Sequence, residues 1–302
     1  MERTPRVLIG LPVYNGENYL QSALDSFLAQ TFTDFRLIIS DNASTDSTAD
    51  IGRKYAERDS RIVYYRQSRN IGAGANHDFV FQPNGASYFK WAGHDDLVAP
   101  DYLLRCVELL DCDPSIVCAQ SKSLWINQDG NVTGTFDHEF SLNGEQVRDR
   151  FWGVLWGETF SPLYGVIRSD VMAKTKLHGN FAGSDRNFVA ELLLHAKAGF
   201  VDDYLFYCRK HPDSYSCSLK DNKTRMLWYN PKTKTPDSML GFLKFKNYLE
   251  AIIRSPISFR DRFACIQVLA EWGFMRGIES SIGIGESYRQ KLLVQHIISG
   301  NK

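Results

Sequence analysis

Residues 6–20 read Arg6-Val7-Leu8-Ile9-Gly10-Leu11-Pro12-Val13-Tyr14-Asn15-Gly16-Glu17-Asn18-Tyr19-Leu20. The apolar run 7–11, stopped by Pro12, predicts a buried strand. Tyr19, Leu20, Leu24, Phe27 and Leu28 then recur at helical spacing, so a helix spans 18–30. The same unit repeats downstream. Strands are predicted at 35–40, 61–66, 87–91 and 116–119. Helices are predicted from Thr45-Asp46-Ser47-Thr48 to about residue 58, over 72–81 and over 100–110, with Asp or Ser suited to the N-cap of the first. Strands separated by helices of this length need crossover connections, which predicts a mainly parallel α/β sheet with helices on both faces. Such sheets bind ligands outside the carboxyl ends of their strands. Polar clusters fall at those ends: Tyr14-Asn15 after the first strand, Asp41-Asn42 after the second, and Asp95-Asp96 after the fourth.

The chain has 302 residues, enough for one large domain or two smaller ones. Lys plus Arg and Asp plus Glu are both 35, a balance that argues against a general polyanion binder, so nucleic acid is not expected as a partner. Hydrophobic residues at 43% exclude disorder for most of the chain. The six cysteines form no Cys-x-x-Cys pair, which excludes a zinc ribbon or thioredoxin-type motif. Reduced thiols in a cytoplasmic protein are the expectation. The strand-like run at residue 6 leaves no room for a signal peptide, and no run of about 18 apolar residues predicts a membrane span.

Beyond residue 120 helices are predicted at 146–156 and 185–198, extended segments at 164–167 and 201–208, and a polar loop at 218–235. Three helices are predicted at 237–254, 258–275 and 285–298. The expected division is 1–120 and 121–217 as two halves of one domain, and 218–302 as a helical extension; the likeness described next implies nucleotide-sugar binding for the first half and acceptor binding and catalysis for the second.

Four motifs in order give the chain its likeness. Pro12-Val13-Tyr14-Asn15 leads into Asp41-Asn42-Ala43-Ser44-Thr45-Asp46, then Asn70-Ile71-Gly72, then His94-Asp95-Asp96. Together they resemble the family 2 glycosyltransferases, closely over 6–120 and loosely over 160–215. The resemblance implies the GT-A fold: a Rossmann-like, mainly parallel sheet with flanking helices, here followed by a C-terminal helical region. It implies an inverting glycosyltransferase that uses a nucleotide-diphospho-sugar, UDP-sugar by default, and Mg²⁺ or Mn²⁺. The acceptor would be a hydroxyl of a glycan, glycolipid or lipid-linked molecule.

The resemblance also implies roles for single residues. Asp41 would accept a hydrogen bond from the base, with Asn42 beside it; an Asx turn opening a helix is the plain alternative. Pro12, Tyr14, Asn15 and Glu17 would line the base and ribose pocket, while Arg69 and Asn70 would reach the base or diphosphate. Asp46 reads better as a helix N-cap. Asp95 would ligate the metal and Asp96 would take a hydroxyl, His94 completing the triplet; capping the helix near Pro100 is the alternative. Gly93 stands where the family often has its first Asp. Asp185 would be the general base; a carboxylate at a helix N-terminus is the alternative. Arg209 would hold phosphate and His211 the metal, unless His211 is an ordinary hydrogen-bonding residue. Trp152, Trp156, Tyr164 and Gly165 form either an acceptor wall or core.

Gly72-Ala73-Gly74-Ala75-Asn76-His77 fails as a dinucleotide fingerprint because His77 stands at the last glycine, and no P-loop sequence exists. The alternatives carried forward are a catalytically inactive nucleotide-sugar-binding or assembly subunit, favoured by Gly93, and a sugar-phosphate nucleotidyltransferase. Arg254, Arg260, Arg262, Arg276 and Lys291 among apolar residues leave open peripheral contact at the inner face of a membrane, a homodimer or plain packing.

Overall fold

The computed structural model describes residues 4–136, 140–157, 161–219 and 221–282. Strand β1 (Val7–Val13) is buried at every position, as a strand covered on both faces must be. Its side chains alternate. Val7, Ile9, Leu11 and Val13 face a core shared with α1 (Leu20–Leu28) and α4 (Tyr102–Cys112). Leu8 faces the opposite core, with Trp91 and Phe188. Burying each of these aliphatic side chains contributes about 1.5–3 kcal/mol.

Strands β2 (Phe35–Asp41), β3 (Ile62–Arg66) and β4 (Tyr88–Trp91) pair in parallel around β1, joined by α2 (Thr48–Arg58) and α3 (Ala73–Phe79). The remaining strands are β5 (Leu97–Val98), β6 (Ile116–Ile126), β7 (Val132–Phe136), β8 (Val166–Arg168) and β9 (Lys197–Arg209). The sheet runs β3-β2-β1-β4-β8-β6-β9-β5, with β7 beside β6.

Parallel pairing thus holds in the β1–β4 block and for β6 with β9, whereas β8 and β5 enter antiparallel. The strand predicted at 116–119 extends to Ile126, so the expected division near residue 120 falls inside β6. The two-residue β5 and the half-exposed β7 carry too little apolar pattern to be legible beforehand.

Helix α5 (Val147–Trp156) and α7 (Ser184–His195) cover the second face, with the one-turn α6 (Ser169–Met172) between them. The polar segment 218–235 is not a plain loop. It follows the one-turn α8 (Tyr215–Ser218) and contains α9 (Asn222–Tyr229), whose N-cap Asp221 accepts from the Thr224 N–H at 2.8 Å. Met226 and Tyr229 are its only buried side chains among the described residues, too few for an apolar stripe. Helices α10 (Leu240–Arg254) and α11 (Phe259–Ile282) pack on the main body. Tyr248 lies between Phe151 and Trp272, and Arg254 Nε donates to Glu191 Oε1 at 2.8 Å. The helix predicted at 285–298, with Lys291, lies outside the described residues.

Lys90 is wholly buried in β4. Its Nζ donates to the Tyr164 carbonyl and lies 4.7 Å from the Tyr102 ring centroid. Burial pushes its pKa down to about 7, against 10.5 for an ordinary lysine. The unfolded chain therefore binds more protons between those values, and stability rises with pH across that window. Wild-type unfolding free energy should gain on that of Lys90→Met between pH 7 and 9, read by denaturant titration at each pH. Equal pH slopes for the two proteins would show Lys90 to be charged throughout.

Candidate active site

A cleft of about 660 Å³ opens at the carboxyl ends of β1, β2 and β4. Of the expected site residues, Pro12, Tyr14, Asn15, Glu17, Asn42, Asn70, His94, Asp95 and His211 line it. Its walls are completed by residues from α3, α8, α9 and the segment before β8, including His77, Tyr164, Tyr215 and Trp228.

The loops after β1 and β2 hold each other. Asn15 sits at φ 51, a left-handed conformation that Asn tolerates. Its N–H donates to Ser44 Oγ at 2.9 Å and its Oδ1 accepts from the Thr45 N–H at 2.9 Å. Glu17 Oε2 accepts from the Ser47 N–H at 2.9 Å, and Asp46 Oδ2 accepts from the Glu17 N–H at 3.1 Å. Asp46 Oδ1 accepts from the Thr48 N–H at 3.0 Å, the helix-entry role expected of it. Tyr14, 43% exposed, is left presenting its ring to the cleft.

A second latch holds the loop after β3. Asn42 Nδ2 donates to Asn70 Oδ1 at 3.1 Å, and Asn42 Oδ1 accepts from the Ile71 N–H at 2.8 Å. Gly72 follows at φ 88, a conformation L side chains avoid. A Cβ there would come within 2.4 Å of the Tyr229 carbonyl oxygen. The backbone leaving α9 therefore rests directly on Gly72, and α9 roofs the cleft with Leu227 and Trp228.

Several residues expected at the ligand are held by protein partners. Asp41 is fully buried and does not line the cleft; its carboxylate accepts from Ser44 N–H, Tyr64 Oη and Arg66 Nη1 at 2.7–2.9 Å. The Ser44 N–H bond is that of an Asx turn. Arg69 is exposed and lies outside the cleft lining. Arg209 is buried: Nε donates to the Asp95 carbonyl at 2.8 Å and Nη1 to the Asn127 and Gln128 carbonyls at 3.0 Å, while the guanidinium lies 4.7 Å from the Tyr19 ring centroid. Its donors hold loops together where phosphate was expected. Asp96 is buried too, its Oδ1 accepting from the Arg209 N–H at 2.9 Å. Burial and the neighbouring Asp95 charge raise its carboxyl above the usual range. Trp156 is buried and stacks on Trp152, so both belong to the core; Tyr164 alone of the expected aromatic wall reaches the cleft.

Asp95 and His211 do meet. His211 Nε2 lies 3.0 Å from Asp95 Oδ2, and the His94 ring lies on the other side of the carboxylate. Burial opposes ionisation of Asp95, yet the charge of His94 and the His211 hydrogen bond outweigh it and hold the carboxyl below its usual range. One carboxylate oxygen and one imidazole nitrogen about 3 Å apart fit two adjacent ligands of a small divalent cation, which takes its remaining ligands from phosphates and water. Among the described residues no group of three or more His, Cys, Asp or Glu side chains is arranged to hold a metal by itself.

Gly93 borders this pair. A Cβ there would lie 2.7 Å from Asp96 Oδ2 and 3.1 Å from Asp95 Oδ1. The space for a side chain at position 93 is filled by Asp96, so the glycine is a packing requirement of this triplet.

Asp185 opens α7 after Gly183 and is half-buried, outside the residues that line the cleft. Its Oδ1 accepts from the Arg186 N–H at 2.8 Å. Burial raises its pKa, against the Arg186 N–H bond and the Arg186 and Lys244 charges. Sequence reasoning missed Tyr19, whose ring lies tilted against that of His211 with centroids 4.7 Å apart, as well as Tyr215, Trp228 and the binding potential of His77.

A family model described as Glycosyl transferase family 2 matches residues 8–159. An uncharacterized glycosyltransferase of Rickettsia typhi is 33% identical over 108 residues, covering 36% of this chain and 33% of the relative. The chain thus spans about a third of that relative's length. S. aureus TarS 1–349, solved with UDP, superposes with a TM-score of 0.65 at 16% identity over 96% of this chain and 78% of that one. A mannosyltransferase from Pyrobaculum calidifontis, solved with GDP-Man and Mn²⁺, gives a TM-score of 0.50 at 15% identity over 99% and 81%. At such identities the likeness is one of fold.

Gly93→Asp, which installs the family's usual residue, should destabilise the protein by about 1–3 kcal/mol through crowding and a third adjacent carboxylate. It should not tighten Mn²⁺ binding. Thermal unfolding and metal titration read both effects, and a variant of wild-type stability with tighter Mn²⁺ binding would refute the packing account.

Proposed function

The chain belongs to glycosyl transferase family 2, and we propose that it moves a sugar from a nucleotide-diphospho-sugar, with UDP as the favoured nucleotide, to a hydroxyl of a glycan or lipid-linked acceptor with inversion. The observation that carries the reading is the convergence of Asp95 and His211 at one cleft on the carboxyl ends of the parallel strands. Tyr14 and Asn42 bound the end where a base and ribose would lie, and Asp185 lies in the first turn of α7, outside the cleft lining. The TarS structure with UDP and the mannosyltransferase structure with GDP-Man support a nucleotide-sugar donor.

In the proposed reaction the acceptor hydroxyl oxygen attacks the anomeric carbon. Asp185 takes the hydroxyl proton, the bond to the diphosphate oxygen breaks, and its electron pair leaves with the diphosphate. A raised pKa makes Asp185 the stronger base, and it places the acid limb of activity above the 3.8 of an ordinary aspartate. Asp95 and His211 would hold a divalent ion, Mg²⁺ or Mn²⁺, that neutralises charge developing on the departing diphosphate. Asp95 is kept ionised for this by its histidine neighbours.

No helix among the described residues is long and apolar enough to cross a membrane. Phe259, Phe263 and Phe274 are more than half exposed along α11, which suits contact with a membrane surface near a lipid-linked acceptor. A cytoplasmic location accords with that reading.

Calorimetry with UDP, GDP and dTDP, each with and without Mn²⁺, should give one nucleotide that binds tightly only with metal. Asp95→Ala should abolish the metal dependence. Folded protein that binds none of the three would refute the reading. With the donor known, Asp185→Asn should lower kcat by roughly 10²–10⁴-fold while leaving donor affinity intact. An unchanged rate would move the general base elsewhere.

A further inference from the structure

His77 lies on α3 in the cleft wall and has no role in the reaction as proposed. Its Nδ1 is 2.8 Å from the Ala73 carbonyl oxygen. A carbonyl only accepts, so Nδ1 carries the proton. Burial, reinforced by His178, drives the imidazole pKa down to about 3, so the ring is neutral and Nε2 holds a bare lone pair. Nε2 has no hydrogen-bond partner among the described residues. Unlike Nδ1 of His178 and of His211, it is not a sealed, orphaned atom, so it is open to the cleft.

The ring cannot swing away. It stacks on His178 with centroids 4.4 Å apart and planes at 27°, and lies 6.2 Å from the Trp91 ring. Trp91 Nε1 donates to the His77 carbonyl at 3.0 Å, which fixes the backbone beneath it.

A fixed nitrogen that only accepts selects for an O–H or N–H donor and rejects a carbonyl or phosphate oxygen. The diphosphate oxygens only accept, and the base and ribose, which carry the nucleotide's own N–H and O–H donors, would lie at the Tyr14 end. A sugar hydroxyl is the donor group left for this position. We propose that His77 determines sugar specificity: its Nε2 accepts a hydrogen bond from one hydroxyl of the transferred sugar. The inference rests on the nucleotide-sugar reading above.

The test compares a nucleotide with its sugar conjugates. Wild type, His77→Phe and His77→Gln would be titrated with UDP, UDP-glucose, UDP-galactose and UDP-N-acetylglucosamine in Mn²⁺, or with GDP and GDP-mannose if GDP is the nucleotide bound. Phe keeps the stacked ring and removes the acceptor; Gln offers an amide oxygen in its place. The expected result for Phe is UDP affinity within about twofold of wild type and a roughly tenfold loss for the preferred UDP-sugar, partly recovered in Gln. A folded Phe variant that changes nucleotide and nucleotide-sugar affinity alike, or neither, overturns the inference while leaving the nucleotide-sugar reading standing. A wild type that binds no nucleotide overturns both. Should the Phe variant fail to unfold cooperatively, deoxy analogues of the preferred sugar on wild type and Gln test the same hydrogen bond. Removing one hydroxyl should cost wild type roughly tenfold and Gln less, and an equal cost in both proteins overturns the inference.

Discussion

The Arg209 backbone N–H donates to the buried carboxylate of Asp96, and this bond anchors the loop after β4 to the end of β9 at the site. It works with the short β5, whose Leu97 and Val98 pair with Tyr207 and Phe206 of β9. Together they hold the loop after β4 against the end of β9. The Arg209 side chain then grips the Asp95 carbonyl, and His211 two residues on is brought to the Asp95 carboxylate. A carboxylate is suited to this because its oxygens offer several acceptor positions. The cost is a buried carboxyl beside another carboxylate, which shows in the raised pKa of Asp96.

The loops at the strand ends face a second constraint. Their backbone N–H groups have left the sheet and still need partners. Asn15, Glu17, Asp41, Asn42, Asp46 and Asn70 supply those partners. Polar residues in a cleft of this kind therefore do two kinds of work. Some build the loops, and the rest face the ligand space.

Much of the fold was legible in the sequence because β1 to α4 follow a regular alternation of buried strand and amphipathic helix. The order of motifs placed the cleft for the same reason. Individual roles were harder to read. Asp41 and Arg209 have the chemistry of ligand contacts, and only the neighbours Tyr64, Arg66, Asn127 and Gln128, remote in sequence, show where their hydrogen bonds go. The α9 roof was missed because its polar sequence buries just two side chains among the described residues. Gly93 looked like a missing ligand until the position of the Asp96 carboxylate was known.

The contact between Gly72 and the backbone at Tyr229 ties together two segments far apart in the chain. One belongs to the loop latched by Asn42 and Asn70, and the other carries Trp228 over the cleft. The two segments therefore form one heritable cassette. Neither can be transplanted into a related scaffold by itself, and divergence of the roof is limited to changes that leave its backbone seated on a residue without a side chain.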